Sequence, residues 1–432
     1  MLTVVDLRGD AGDPLARLPR AAVDRDLVRE TVRGIIAAVR AGGDAAALEQ
    51  QERFGARPPA LRVPAEQIEA ARAACSPRLL EAIELAAERI RQYHERQAAE
   101  ERAPFWRTGS DGAWVGEETR AVGRAGCYVP GGRAAYPSTV LMTALPAKIA
   151  GVGSIVVCVP PAPDGNVHPA TLAACAVAGV DEVYAIGGAQ AIAAMAYGTE
   201  SVRPVDVIVG PGNIYVTLAK HEVSMDVGVD GFAGPTEVAI VADDSAPPAF
   251  IAADLVAQAE HDPLATALLI TPSEQLVAAV GEALEKEVAS SSRREDIETA
   301  LHGQGRAVLV EDIDRAIEVA NAFAPEHLEL VTADAADRVT QVRDAGAIFV
   351  GAYSPVALGD YVAGTNHVLP TAGTARFASP LRVSTFVKST AVISFERAGL
   401  DEVGPALLQI AEAEGLDAHA RALRIRMEEQ EQ

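Results

Sequence analysis

Residues 154–197 read SIVVCVPPAPDGNVHPATLAACAVAGVDEVYAIGGAQAIAAMAY. Two apolar runs, Ser154–Val159 and Glu182–Ile186, alternate with two alanine-rich stretches of helical periodicity, Pro169–Ala178 and Gln190–Tyr197. A strand that is apolar along its whole length is covered on both faces. A helix between two such strands is the crossover of a parallel sheet. The rhythm continues with β-branched runs at Val205–Val209, Glu237–Val241, Thr266–Thr271, Arg306–Val310, Leu328–Val331 and Ala347–Val350, and with Pro248–Glu260 among the helical intervals. Eight strands of this kind suit one barrel or two open sheets. The loop Asp230-Gly-Phe-Ala-Gly-Pro-Thr236 reads as a boundary and favours two doubly wound sheets.

The ends of the chain differ. Asp24–Arg40 and two stretches within Ala65–Glu100 carry apolar residues at helical spacing with charged outer faces, which predicts a packed helical layer. The last fifty or so residues return to helix, Glu402–Glu412 and His419–Glu429 separated by Gly415. The predicted class is α/β, with small helical N- and C-terminal segments around two parallel-sheet domains. The expected partition is an N-terminal arm over 1–24, one α/β domain made of 25–127 with 236–380, a second over 128–235, and a helical tail over 381–432. In this partition the helical front packs onto the later strands, and the tail reaches another subunit.

Composition sets limits. At ~150 residues per domain, 432 residues allow two or three domains. Aromatics are 4 %, so the core is built from Ala, Val, Leu and Ile. The 60 acids against 37 bases leave a net charge of −23, which repels phosphates and anionic membranes and excludes both as expected partners. Cys75, Cys127, Cys158 and Cys175 form no CxxC pair, so neither a zinc ribbon nor a disulfide framework is expected. The opening MLTVVDLRGDAGDP meets charges before any apolar run, and Val140–Pro161 is broken by Pro146, Lys148, Gly151 and Gly153. Neither a signal peptide nor a membrane span is expected, which predicts a cytoplasmic protein.

Candidate chemistry falls in loops. Ligands of open α/β sheets bind outside the carboxyl ends of the strands. Three glycine-rich loops fit that position: Tyr128-Val-Pro-Gly-Gly-Arg133, Ile186-Gly-Gly-Ala-Gln190 and Val209-Gly-Pro-Gly-Asn213. Each suits a tight turn or an anion at a helix start, and three in adjacent units raise the nucleotide reading. None is a GxGxxG followed by an acid. Gln258 and His261 are neighbours on one helix face and suit a metal, with Asp254 a competing candidate; His261 also suits a helix C-terminus. Glu326 and His327, at a strand entrance, suit acid–base work. Asp360 and His367 are plausible metal ligands whose spacing decides nothing. Glu412, Glu414 and His419 place acids near a histidine in the tail, where a solvated helix face is the simpler reading.

Taken in order, GCYVPGGRAAYPSTVLM, YAIGGAQAIAAMAYGT, VGPGNIYVTLAK, DGFAGPTE, QAEHDP, APEHLEL, GAIFVG, GDYVAGTNHVLPT and EGLDAHA resemble histidinol dehydrogenase over nearly the whole chain. The resemblance implies Rossmann-like domains without the usual fingerprint, 128–235 touching NAD and 25–127 with 236–380 carrying the catalytic and metal residues. It implies oxidation of L-histidinol to L-histidine through the aldehyde, the last steps of histidine biosynthesis, with two NAD used in succession. One zinc per subunit would be held by Gln258, His261, Asp360 and His419. The catalytic pair would be Glu326 and His327. Substrate contacts would fall on Thr236, Gln258, His261, His327, Asp360, Glu414 and His419, and NAD contacts on Tyr128, Gln190 and Asn213. It also implies a homodimer in which Glu414 and His419 cross the interface through the dimerising tail. Many members carry Ser where this chain has Thr236; the hydroxyl is kept. Two rivals stand beside this reading: a zinc- and NAD-dependent dehydrogenase of another small polar alcohol, and a zinc hydrolase without NAD.

Overall fold

A computed structural model of the chain describes all residues except 11, 19, 22–24, 102–104, 111, 132–134 and 429–432. Gly132 and Arg133 of the first glycine-rich loop lie outside the described residues. So do Asp24 and Glu429, the expected outer ends of two helices. The chain divides into two compact units, Met1–Gln97 with Val122–Phe386, and Ala98–Ala121 with Val387–Gln432.

Among the described residues the strands are, in chain order, β1 (Thr3–Asp6), β2 (Phe105–Ser110), β3 (Ala113–Ala121), β4 (Arg124–Tyr128), β5 (Ser154–Val159), β6 (Glu182–Ala185) and β7 (Val207–Val209). They continue with β8 (Gly228–Val229), β9 (Glu237–Ala242), β10 (Thr266–Thr271), β11 (Arg306–Leu309), β12 (His327–Val331), β13 (Ala347–Val350) and β14 (Val387–Phe395).

The larger unit holds two parallel sheets, ordered β6-β5-β4-β7-β8 and β1-β11-β10-β9-β12-β13. Both step outward twice in one direction, return to the first strand and continue on its other side. The order reverses between β4 and β7 in one sheet and between β9 and β12 in the other. β5, β9, β10 and β12 are buried almost throughout, as continuous apolar runs require. Two doubly wound sheets, not a barrel, are therefore present.

Three expectations about the flanking segments need correction. The arm over 1–24 contributes β1, which pairs in parallel with β11 and extends the six-stranded sheet. The front helices divide: Pro77–Glu101 meets the later segments, Arg89 donating to the Val362 carbonyl at 3.4 Å and Gln97 accepting the Val383 N–H at 3.0 Å beside β13, while the two before it lie elsewhere. Arg25–Phe54, kinked at Gly43, packs on the helices Gly188–Tyr197 and Ile214–Val223, and Ala65–Ala74 packs on Pro169–Ala178, all on the five-stranded side. Backbone bonds from Val63 to Val183 and from Ala185 to Leu61 fix this attachment at 2.9 and 2.7 Å. Lastly, the tail is not all helix. β14 pairs antiparallel with β3, and β3 with β2, in the smaller unit.

The rest of that unit is the helix pair Arg397–Ala413 and Asp417–Glu428, turned at Gly415 and packed on each other. Among the described residues no helix is long and apolar enough to cross a membrane.

Candidate active site

The cluster forms at the amino edge of β9 and β12, beside the reversal point of the six-stranded sheet. His327 opens β12 and is registered against Val238, the second residue of β9. This places Glu326 beside the N–H of Glu237 and His327 beside its carbonyl. Glu326 Oε2 accepts the Glu237 N–H at 3.0 Å, and His327 Nδ1 lies 2.9 Å from the Glu237 carbonyl oxygen. A carbonyl can only accept, so Nδ1 carries the proton and Nε2 holds the ring's free lone pair. Adjacent residues of an extended strand point apart, yet Glu326 precedes the strand and turns back until its Oε2 is 3.6 Å from His327 Nδ1. Both side chains are buried.

Thr236 couples this pair to the neighbouring helix. Its hydroxyl donates to Glu326 Oε2 at 2.6 Å and accepts from Gln258 Nε2 at 2.5 Å. The Gln258 amide nitrogen is thereby turned to Thr236, which leaves the amide oxygen available to another partner. Gln258 ends the Pro248–Ala259 helix, and His261 follows it. Asp360 lies on the short Val356–Tyr361 helix.

His367 is a correction. Its Nδ1 donates to the Asp360 carbonyl at 2.9 Å, so its Nε2 accepts from the Thr139 hydroxyl at 3.3 Å. With both nitrogens engaged it fixes the backbone of Asp360 and is no ligand. Burial holds its pKa below the ordinary imidazole value; Asp360 opposes that shift, while His327 and His261 add to it. Among the described residues the His261 ring and the Asp360 carboxylate take no hydrogen bond, and no three His, Cys, Asp or Glu side chains converge at metal spacing. A set of Gln258, His261 and Asp360 contains only two such residues, so it needs the amide oxygen and an outside ligand. Asp254, the competing candidate, is bonded to Glu329 instead. Glu414 and His419 belong to the smaller unit, where both are exposed.

Residues with no signal in the sequence hold the site. Glu237 is 2 % exposed and pairs through Oε1 with Arg20 Nε at 2.5 Å. Arg20 also donates to the Phe323 carbonyl and lies 3.9 Å over the Phe323 ring. The other Glu237 oxygen is buried and has no hydrogen-bond partner among the described residues. Burial pushes this carboxyl from 4.5 to about 7; Arg20 opposes the shift and Glu326 adds to it. A carboxyl whose folded pKa exceeds its unfolded value binds more protons when folded, so stability falls as pH rises from about 4.5 to about 7. At ~1.4 kcal/mol per unit, the interval bounds the effect at about 3 kcal/mol. We expect Glu237→Gln to gain stability relative to the parent between pH 5 and pH 8 by up to that amount. Urea unfolding at the two pH values checks it, and a pH-independent difference would refute it.

The three glycine-rich loops follow β4, β6 and β7 at the carboxyl edge of the five-stranded sheet, those after β4 and β7 flanking its reversal point. Tyr128 is buried and its hydroxyl accepts the Gly188 N–H at 3.1 Å. Gln51 accepts from the Gly187 N–H at 2.9 Å and from Gln190 Nε2 at 3.2 Å. Asn213 caps its own helix through the Tyr215 and Val216 amides. These amides, expected to face an anion, are therefore already taken. Gly210 has φ +113°, and a Cβ there would overlap the Tyr128 carbonyl oxygen. The Lys220 ammonium donates to the Gly210 carbonyl at 2.5 Å, and the Asp230 carboxylate accepts the Gly210 N–H at 2.6 Å. A cavity of about 420 Å³ along β13 includes none of the predicted site residues in its lining.

The family model described as histidinol dehydrogenase matches residues 18–427. A histidinol dehydrogenase of Synechococcus is 48 % identical over 99 % of this chain and 99 % of its own. That of Thermobifida fusca is 48 % identical over 100 % of this chain and 99 % of its own. The crystal structure of histidinol dehydrogenase from Elizabethkingia anophelis superposes with a TM-score of 0.92 at 33 % identity, covering 99 % of this chain and 98 % of that one. The chain belongs to the histidinol dehydrogenase family.

Proposed function

We propose that the protein oxidises L-histidinol to L-histidine through the aldehyde, with NAD as hydride acceptor and one zinc ion per subunit, in the cytoplasm. The observation that carries this reading is the lock of Glu326 on the N–H and His327 on the carbonyl of one residue, Glu237, joined through Thr236 to Gln258.

The donor set fits zinc. Gln258 presents an amide oxygen, and His261 and Asp360 present an uncommitted imidazole and carboxylate, all suited to a divalent cation. The exposed His419 suits a fourth ligand given to a second copy, so the partner subunit's His419 would complete the set in a homodimer, with the partner's Glu414 beside it. When bound, zinc supplies orientation, holding the nitrogen donors of histidinol and selecting the substrate. NAD would lie in the reversal-point crevice near Tyr128, Gln190 and Asn213, reached by side chains more than by free amides.

The chain's own groups then have distinct tasks. His327 Nε2 takes the hydroxyl proton as hydride leaves the carbinol carbon. Glu326, held through Oε2 by Thr236 and Glu237, uses its other oxygen to take a proton from the water that attacks the aldehyde. His327 acts again as base while the hydrate loses its second hydride. Thr236 keeps the hydroxyl on which the link to Gln258 depends, so the departure from Ser is conservative.

NADH absorbance with L-histidinol as substrate is the test. The reading requires two NADH per substrate. No NADH at all would favour a hydrolase, and turnover of another amino alcohol alone would favour a different dehydrogenase. Removing the metal with a chelator is expected to lower turnover on the order of 10²-fold, because orientation of the carbinol is lost. Zinc should restore it. Unchanged turnover in metal-free protein would sink the metal assignment.

A further inference from the structure

Two carboxyls beside the site have no part in this chemistry. Glu329 lies two residues beyond His327 on β12, on the same face of the strand, and is 2 % exposed. Asp254 is half-buried on the Pro248–Ala259 helix, one turn before Gln258. The two side chains are hydrogen-bonded to each other, and Glu329 Oε1 also accepts the Val356 N–H at 3.3 Å. Val356 is the first residue of the short helix that carries Asp360.

Two carboxylates cannot bond to each other without a proton between them. Burial raises both groups, Asp254 to about 6 and the deeper Glu329 well above the ordinary range. The pair therefore shares one proton, which makes the hydrogen bond between them. Apolar side chains of similar volume commonly replace buried polar pairs without loss of stability, so packing alone does not require two acids here. What the pair adds is direction: one junction fixes the helix of Gln258, the strand of His327 and the helix of Asp360.

We infer that Asp254 and Glu329 are positioning residues for the proposed zinc site, setting the separation of Gln258 and Asp360 through a shared-proton hydrogen bond. The inference rests on the zinc reading, and its test separates the two. Zinc affinity of the full-length protein is measured by competition with a chromophoric chelator, alongside KM for histidinol and for NAD and a thermal melt. Glu329→Leu fills the space but makes neither hydrogen bond, and is expected to weaken zinc binding roughly 10–100-fold and to raise KM for histidinol. KM for NAD should not move, because the glycine-rich loops belong to the other sheet. Glu329→Gln keeps a donor for Asp254 and an acceptor for Val356, and should bind zinc close to the parent. Asp254→Ala breaks the same bond at a half-exposed position and should match the leucine variant; it decides the matter if Glu329→Leu does not fold. Folded Glu329→Leu or Asp254→Ala protein with parental zinc affinity would overturn the inference, as would a glutamine variant as weak as the leucine one. A parent protein that binds no zinc would remove the zinc reading itself.

Discussion

Replacing His327 by asparagine is expected to lower NADH formation from both histidinol and its aldehyde by ~10²–10⁴-fold, the usual worth of a positioned general base. Asparagine is a sharp choice because its amide N–H can still donate to the Glu237 carbonyl, as His327 Nδ1 does at 2.9 Å. The link from β12 to β9 then survives, and only the lone pair on Nε2 is lost. The loss should fall on kcat, with KM for histidinol and the melting temperature near the parental values, since His327 is assigned no metal. Steady-state rates with the alcohol and with the aldehyde, measured separately, decide it. A parental rate in either half would remove His327 as the base of that half. A collapse of the melting temperature would instead show that the ring is a packing group.

The strands most fully legible were those covered on both faces. Ser154–Val159 and Thr266–Thr271 run as the apolar pattern predicts. Those that escaped lack that pattern. β2 is exposed along its whole length, β3 reads AWVGEETRA with one buried residue, and β14 alternates only loosely. An antiparallel sheet open to its surroundings needs no continuous apolar run, so the tail read as helix alone. β1 escaped because four residues carry too little periodicity to separate strand from loop.

The site divides in a similar way. Residue type and spacing mark Glu326, His327, Gln258 and His261 as candidates, and the family resemblance implies their roles. The meeting of Glu326 with Gln258 is not legible: Thr236 reaches Glu326 across 90 positions through the pairing of β9 with β12, and Gln258 across 22 through the helix that follows β9. Open α/β sheets generally place ligands at the carboxyl ends of strands. Here the glycine-rich loops lie at such ends, while Glu326 and His327, the proposed catalytic pair, occupy the amino edge of the second sheet. Arg20, Gln51 and Glu237 act through buried polar contacts whose partners lie 136 to 303 positions away, and nothing local marks them.

Glu326→Gln separates the two halves of the reaction. The glutamine carbonyl can take over both bonds made by Oε2, from the Thr236 hydroxyl at 2.6 Å and the Glu237 amide at 3.0 Å, so the loop before β12 keeps its place. Its amide nitrogen then occupies the position of the free oxygen. It can donate there, but it cannot accept a proton from water. Alcohol oxidation depends on His327 and should continue near the parental rate, whereas the hydration step should slow by ~10²-fold or more. The signature is therefore one of stoichiometry as well as rate: NADH per histidinol falls from two toward one, and aldehyde accumulates where a carbonyl reagent can trap it. Because in the proposed sequence the first NADH forms before water is needed, a single-turnover experiment should show its burst intact and its second phase delayed. Equal slowing of both phases would mean that Glu326 serves chiefly to hold His327, whose ring lies 3.6 Å from it. Parental rates in both would assign the water to another group.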